Sequence, residues 1–357
     1  MSETVMIVLV GLAIGTIPQR WLRIPEPMVL LAVGALLRVT LGANANTTSL
    51  SIVAYIGLFA LLFGVGVELS DLGHRPLTPR GLGLASIGAT VLGILGFGLL
   101  AWQRSAGLTE LALILSAIPT SAGIAARLLR PHGTGEGSGY PIIISAAVAD
   151  DFFGIALLVL APLFAAGATF GLTSSPTIAL AASLAIVGAM LLIRPKTTAL
   201  LFTKVMVLTI GGVICGVSAA LLGVFDGHET AARLGAPARR WLPLLERLLP
   251  TMFFMVAGYD IRLPLLVHAN VLLSAGLILI ALLISRLAIS VATPGDLHVR
   301  IAVGAGMLAR GEVTIAMALV FLQSAVLSNT DYAILMAVVL GSTLVSGLAL
   351  RLNRLAR

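Results

Sequence analysis

The chain has 357 residues, of which 59% are hydrophobic and only 10% charged, with a formal net charge of +7 and a mean hydropathy of +1.08. That balance places it in the all-α polytopic membrane class. It leaves no room for a soluble domain, because the longest polar stretch, Asp226 to Arg247, is too short to bury a core. The basic residues fall in small groups between apolar runs rather than in one stripe, which argues against a nucleic-acid surface and for topology signals.

Taken in order, apolar runs of membrane-spanning length predict helices near 4–19, 27–41, 50–68, 81–102, 109–129, 140–164 and 176–193. Four more follow near 250–266, 269–291, 300–323 and 332–350. The first run lacks a basic leading segment and a small-residue cleavage site, so it reads as a retained helix. The single cysteine, Cys215, lies in an apolar run and excludes an intrachain disulfide or a Cys-based metal cluster. The Gly-rich segment 133–139 lacks the Gly-Lys-Ser/Thr ending and the preceding strand of a phosphate loop, and reads as a cytoplasmic turn.

Region 199–232 is apolar in its first half and carries Asp226, His228 and Glu229 in its second. If it crosses twice, near 199–214 and 217–232, then Arg233, Arg239, Arg240, Arg247, Arg351, Arg354 and Arg357 share the cytoplasmic side with Arg20, Arg23, Arg75, Arg80, Arg127, Arg130, Arg194 and Lys196. Arg104 and Arg262 are the exceptions. The expectation is about 13 transmembrane helices in an inner (plasma) membrane, N-terminus outside and C-terminus in the cytoplasm.

Polar residues inside the apolar runs mark the chemistry. Asp150 and Asp151 are adjacent, with apolar sequence from Pro141 up to Asp150 and from Phe152 to Phe164. A central Asp costs roughly 2.5–3.5 kcal/mol to insert, so two together imply a mid-membrane role rather than a helix end at the surface. In the preceding run, Ile118-Pro119-Thr120-Ser121-Ala122-Gly123 removes a backbone donor and loosens the turn. It reads either as a kinked packing helix or as a broken one whose carbonyls face a cavity. Arg286, in Ser285-Arg286-Leu287, needs a carboxylate partner or must reach the membrane surface. Gly304-Ala305-Gly306 leads into Arg310-Gly311-Glu312, a second Gly-interrupted helix with an opposite-sign pair.

In this order, Thr120-Ser121, Asp150-Asp151, Arg286 and Arg310-Gly311-Glu312 resemble the bacterial sodium/proton antiporters with an Asp-Asp motif, in the second branch of the cation:proton antiporter superfamily. Leu62 to Glu68 and Pro250 to Gly258 also resemble family segments, and the likeness spans nearly the whole chain. The resemblance implies two inverted repeats with crossed discontinuous helices. It implies a core domain at about 81–194 and 269–350, and a dimerisation domain at about 1–68 and 199–266.

It further implies that Asp151 binds cation and proton, that Asp150 faces Arg286, and that Thr120 and Ser121 complete the site, with no cofactor and a homodimeric assembly. Two positions depart from the pattern: Ala309 stands where the family often has Pro, and Asp226-Gly227-His228-Glu229 where it usually has an apolar segment. The implied function is exchange of Na⁺, Li⁺ or K⁺ for H⁺ by alternating access. The alternative is an antiporter-like scaffold acting as a membrane-embedded enzyme on a lipophilic substrate, with Asp226, His228 and Glu229 as acid/base groups. A channel suits a buried carboxylate pair less well, since that pair must bind and release one ion at a time.

Overall fold

The computed structural model describes residues 3–16, 26–42, 47–71, 78–120, 145–147, 149–150, 153–154 and 242–355. All regular elements among them are helical: α1 (Glu3–Thr16), α2 (Glu26–Leu41), α3 (Thr47–Asp71), α4 (Pro79–Arg104), α5 (Leu108–Ala117), α6 (Leu242–Tyr259), α7 (Leu263–Leu266), α8 (Ala269–Ala292), α9 (Leu297–Gly306), α10 (Glu312–Gln323) and α11 (Asn329–Leu355). Residues 145–147, 149–150 and 153–154 are helical as well. Helices predicted near 176–193, 199–214 and 217–232 lie outside the described residues, as do the 133–139 turn and most of the helix predicted near 140–164.

The chain divides into two compact units, Met1–Gly73 with Leu158–Ile261 and His74–Leu157 with Arg262–Arg357. In the first, α6 packs against α1, α2 and α3. The tightest approach is at Gly34 and Gly258: a Cβ on Gly34 would meet the Met255 carbonyl and come within 2.8 Å of the Tyr259 nitrogen, and one on Gly258 would meet the backbone of Leu31. Small residues at such crossings let membrane helices exchange dispersion contacts over their backbones, which matters where water no longer drives association. Arg38 of α2 donates from Nη1 to the Tyr259 carbonyl at 2.9 Å, a cation on the negative end of α6.

Two expectations change in this unit. The helix predicted to start at Pro250 starts eight residues earlier, because Leu242, Leu244, Leu245, Leu248 and Leu249 keep helical spacing through a stretch that hydropathy alone scores as polar. Pro243 falls in its first turn, where a missing N–H costs little. It also ends at Tyr259 rather than 266, and Leu263–Leu266 forms a separate turn.

In the second unit, α4, α8 and α11 are long and apolar enough to cross a bilayer. The 26 residues of α4 rise about 1.5 Å each, enough for a hydrocarbon layer of about 30 Å. Their outward side chains, among them Ile94, Leu287, Val291, Leu344 and Leu348, are exposed and apolar, as a lipid-facing surface requires. Arg104, at the end of α4, is tied to Asp331 at 2.7 Å and to Glu110 at 3.5 Å. These are the first turns of α11 and α5.

Candidate functional site

Two helix interruptions in the second unit build the site. α5 stops at Ala117; Ile118 caps it with helical dihedrals, and Pro119 and Thr120 lie beyond the helix. The proline supplies no N–H and its ring collides with the preceding turn. The run predicted as one helix near 300–323 is two, α9 and α10, separated by Met307–Gly311. Each interruption leaves carbonyls without their helical partners.

Arg310 fills the space between them. Fully buried, it sends Nη1 to the Pro119 carbonyl at 3.0 Å and to Thr120 Oγ1 at 2.6 Å, with the Met307 carbonyl at 3.5 Å. A cation thus lies against the C-terminal ends of α5 and α9, the ends at which helix dipoles are negative. Thr314, one turn into α10, donates its hydroxyl to the same Pro119 carbonyl at 3.2 Å.

Thr120 carries the connection onward. Its Oγ1 lies 2.6 Å from Asp150 Oδ2 and 3.2 Å from the Met307 carbonyl. A hydroxyl has one proton, and the shorter bond to a charged acceptor is the stronger. Thr120 therefore accepts from Arg310 and donates to Asp150. On the other side of the carboxylate, Arg286 Nη1 lies 3.5 Å from the same Oδ2. Asp150 is fully buried and Arg286 is 3% exposed, so this guanidinium does not reach the membrane surface. Asp150 Oδ1 has no hydrogen-bond partner among the described residues.

The sum is a continuous chain, Arg310 to Thr120 to Asp150 to Arg286, spanning both interruptions. Such a network can hold a carboxylate ionised inside an apolar unit, since each charge has an opposite charge or a dipole against it. The two guanidinium groups outnumber Asp150 by one positive charge. Asp151 beside Asp150 and Glu312 beside Gly311 are the nearest carboxylates in sequence. Glu312 opens α10 and is partly buried. Asp151 and Ser121 lie outside the described residues, as do Asp226, His228 and Glu229.

Two participants escaped the sequence reading. Thr314 carries no motif, though a hydroxyl one turn after an interruption is a signal that could have been used. Gly154 is the other: a Cβ there would run into the Pro119 ring and come within 2.7 Å of Val313 Cγ1. A glycine one turn beyond Asp150 therefore lets the helical backbone there approach both interruptions.

The comparisons with known proteins agree with this architecture. Residues 5–352 match the family model described as sodium/hydrogen exchanger, transmembrane. The fold is similar to that of the sodium proton antiporter MjNhaP1 from Methanocaldococcus jannaschii at pH 8, with 15% identity, a TM-score of 0.65, and coverage of 98% of this chain and 96% of that one. No curated protein sequence matches.

Proposed function

The chain belongs to the sodium/hydrogen exchanger family, a family of multi-pass membrane transporters and not of enzymes, and from that premise we propose that it exchanges a monovalent cation, Na⁺ first among them, for protons by alternating access. The observation that carries the reading is the buried chain from Arg310 through Thr120 and Asp150 to Arg286 at the two helix interruptions. It supplies a permanently compensated carboxylate and leaves one oxygen of Asp150 free of hydrogen bonds among the described residues. A desolvated cation needs such an oxygen.

In this reading Asp151, the adjacent carboxylate, is the carrier for which cation and proton compete. Asp150 serves as its fixed, charged neighbour. Thr120 and Ser121 line the site, Arg310 and Glu312 set its electrostatics, and Asp226, His228 and Glu229 remain candidates for the cavity wall. The dimerisation domain, about 1–68 and 199–266, is the stationary, homodimeric part and the core domain, about 81–194 and 269–350, is the moving one. The orientation is N-terminus out and C-terminus in, in an inner membrane.

Cation-driven proton movement in proteoliposomes tests the function, with Na⁺, Li⁺ and K⁺ compared and Asp151→Asn as the control. The amide keeps the shape but cannot ionise, so exchange should vanish in a variant that still folds. Exchange at the wild-type rate in Asp151→Asn removes that residue from the site, and no proton movement with any cation in the wild type rejects antiport.

A further inference from the structure

α11 carries three buried hydroxyl residues in Ser342-Thr343-Leu344-Val345-Ser346. A serine or threonine in an apolar helix ordinarily satisfies its hydroxyl on its own helix, three or four residues back, and Ser342 does so, donating to the Val339 carbonyl at 3.2 Å. Thr343 and Ser346 do not. Ser346 Oγ donates across to the Ala305 carbonyl at 2.6 Å, in the last turn of α9. Thr343 Oγ1 donates to the Arg310 carbonyl at 3.2 Å, just before α10. One acceptor, Ala305, lies in the last turn of α9 before the Met307–Gly311 interruption and the other, Arg310, near the far end of the interruption itself, and the donors lie one turn apart on a continuous 27-residue helix.

We infer that Thr343 and Ser346 are positioning residues for ion exchange: they splint the broken helix against α11 and so fix where the Arg310 backbone, and with it the guanidinium on Thr120, sits. The inference rests on the exchanger reading for its functional half, while the splint itself stands on geometry. At the interruption the α-helical ladder is broken, and there Thr343 on α11 donates to the Arg310 carbonyl. The splint then acts at a distance: Thr343 holds the Arg310 main chain, Arg310 Nη1 holds Thr120, and Thr120 holds Asp150. Neither hydroxyl touches the ion.

The experiment combines two readouts on Thr343→Val, Ser346→Ala and their double variant, with Thr343→Ser as the conservative control. In hydrogen exchange on the purified protein, amides of Ala305–Gly311 should exchange about fivefold faster, the factor corresponding to one lost hydrogen bond of ordinary strength, while α4 and α8 stay protected. In proteoliposomes the apparent KM for Na⁺ should rise by about the same factor, with the maximal rate within about twofold and Thr343→Ser close to wild type. A merely structural role would lower the amount of folded protein and the maximal rate and leave KM alone. Unchanged exchange at 305–311 overturns the splint whatever the transport shows. Faster exchange there with an unchanged KM overturns its role in positioning. A wild type that moves no protons rejects the antiport reading instead, and the hydrogen-exchange arm still decides the splint.

Discussion

Arg286 is the direct ion-pair partner of Asp150. It is 3% exposed and paired with a fully buried carboxylate, so Arg286→Ala takes the directly paired charge away from Asp150. Breaking a buried pair in this way costs about 3–5 kcal/mol, and the expected result is loss of folded protein by size-exclusion chromatography in detergent. Arg286→Lys keeps the charge and should fold. The two differ in proton chemistry, because arginine holds its proton throughout the cycle while a buried lysine can release one.

Thr120 is the complementary case. Thr120→Val keeps the volume but removes the bridge between Arg310 and Asp150. The lost bond to a charged acceptor corresponds to about 1.5–3 kcal/mol, and it should appear as weaker apparent cation affinity in a fold that survives. An unchanged affinity would show that Asp150 does not need the bridge.

Among the helices, closeness of approach matters more than length. Gly154 permits the aspartate-bearing helix to lie against Pro119 and Val313. Gly154→Leu places four carbons where those side chains already are, and overpacking of this kind costs about 1–3 kcal/mol. The helix must back away and take Asp150 with it. Exchange should fall strongly while the first unit remains intact, and limited proteolysis can follow the two separately. Gly34→Leu is the converse, since it forces α2 from α6 in the first unit and leaves the Arg310 to Arg286 network alone. It should lower thermal stability with little change in apparent cation affinity.

Charge decides two properties of the molecule as a whole. One is orientation. Of the two basic residues expected on the outer side, Arg104 is bound to both Asp331 and Glu110, which weakens its pull toward the cytoplasm. A cysteine introduced at Ala238, outside the described residues, should then label only from the cytoplasmic side. Labelling from the opposite side would break the double crossing of 199–232 and the thirteen-helix topology with it.

The other property is stoichiometry. In the proposed reading Arg286 keeps its proton and Asp151 is the single carrier, so one proton should move per monovalent cation. Exchange should be electroneutral, and an imposed membrane potential should not change its rate. Acceleration by voltage would require a second proton carrier, and Arg286→Lys is where such voltage dependence is expected to emerge.

Most helices could be read directly from composition, and the reason is physical. In a bilayer the backbone must satisfy its hydrogen bonds within each segment, so an apolar run of sufficient length has few alternatives to a helix. The runs near 81–102, 269–291 and 332–350 correspond to α4, α8 and α11 within a few residues at each end. The same reasoning failed at α6, where hydropathy missed the eight residues before Pro250, whose leucines keep helical spacing among polar neighbours. It also exposed Asp150, Asp151 and Arg286 as residues too costly to insert without partners. Which partners they take depends on long-range packing: Arg310 reaches Pro119 and Thr120 across about 190 positions of sequence, and Thr343 reaches the Arg310 carbonyl only because α11 lies beside the interruption. A carbonyl freed by a broken helix accepts whatever donor the fold brings to it, and that choice belongs to the tertiary structure.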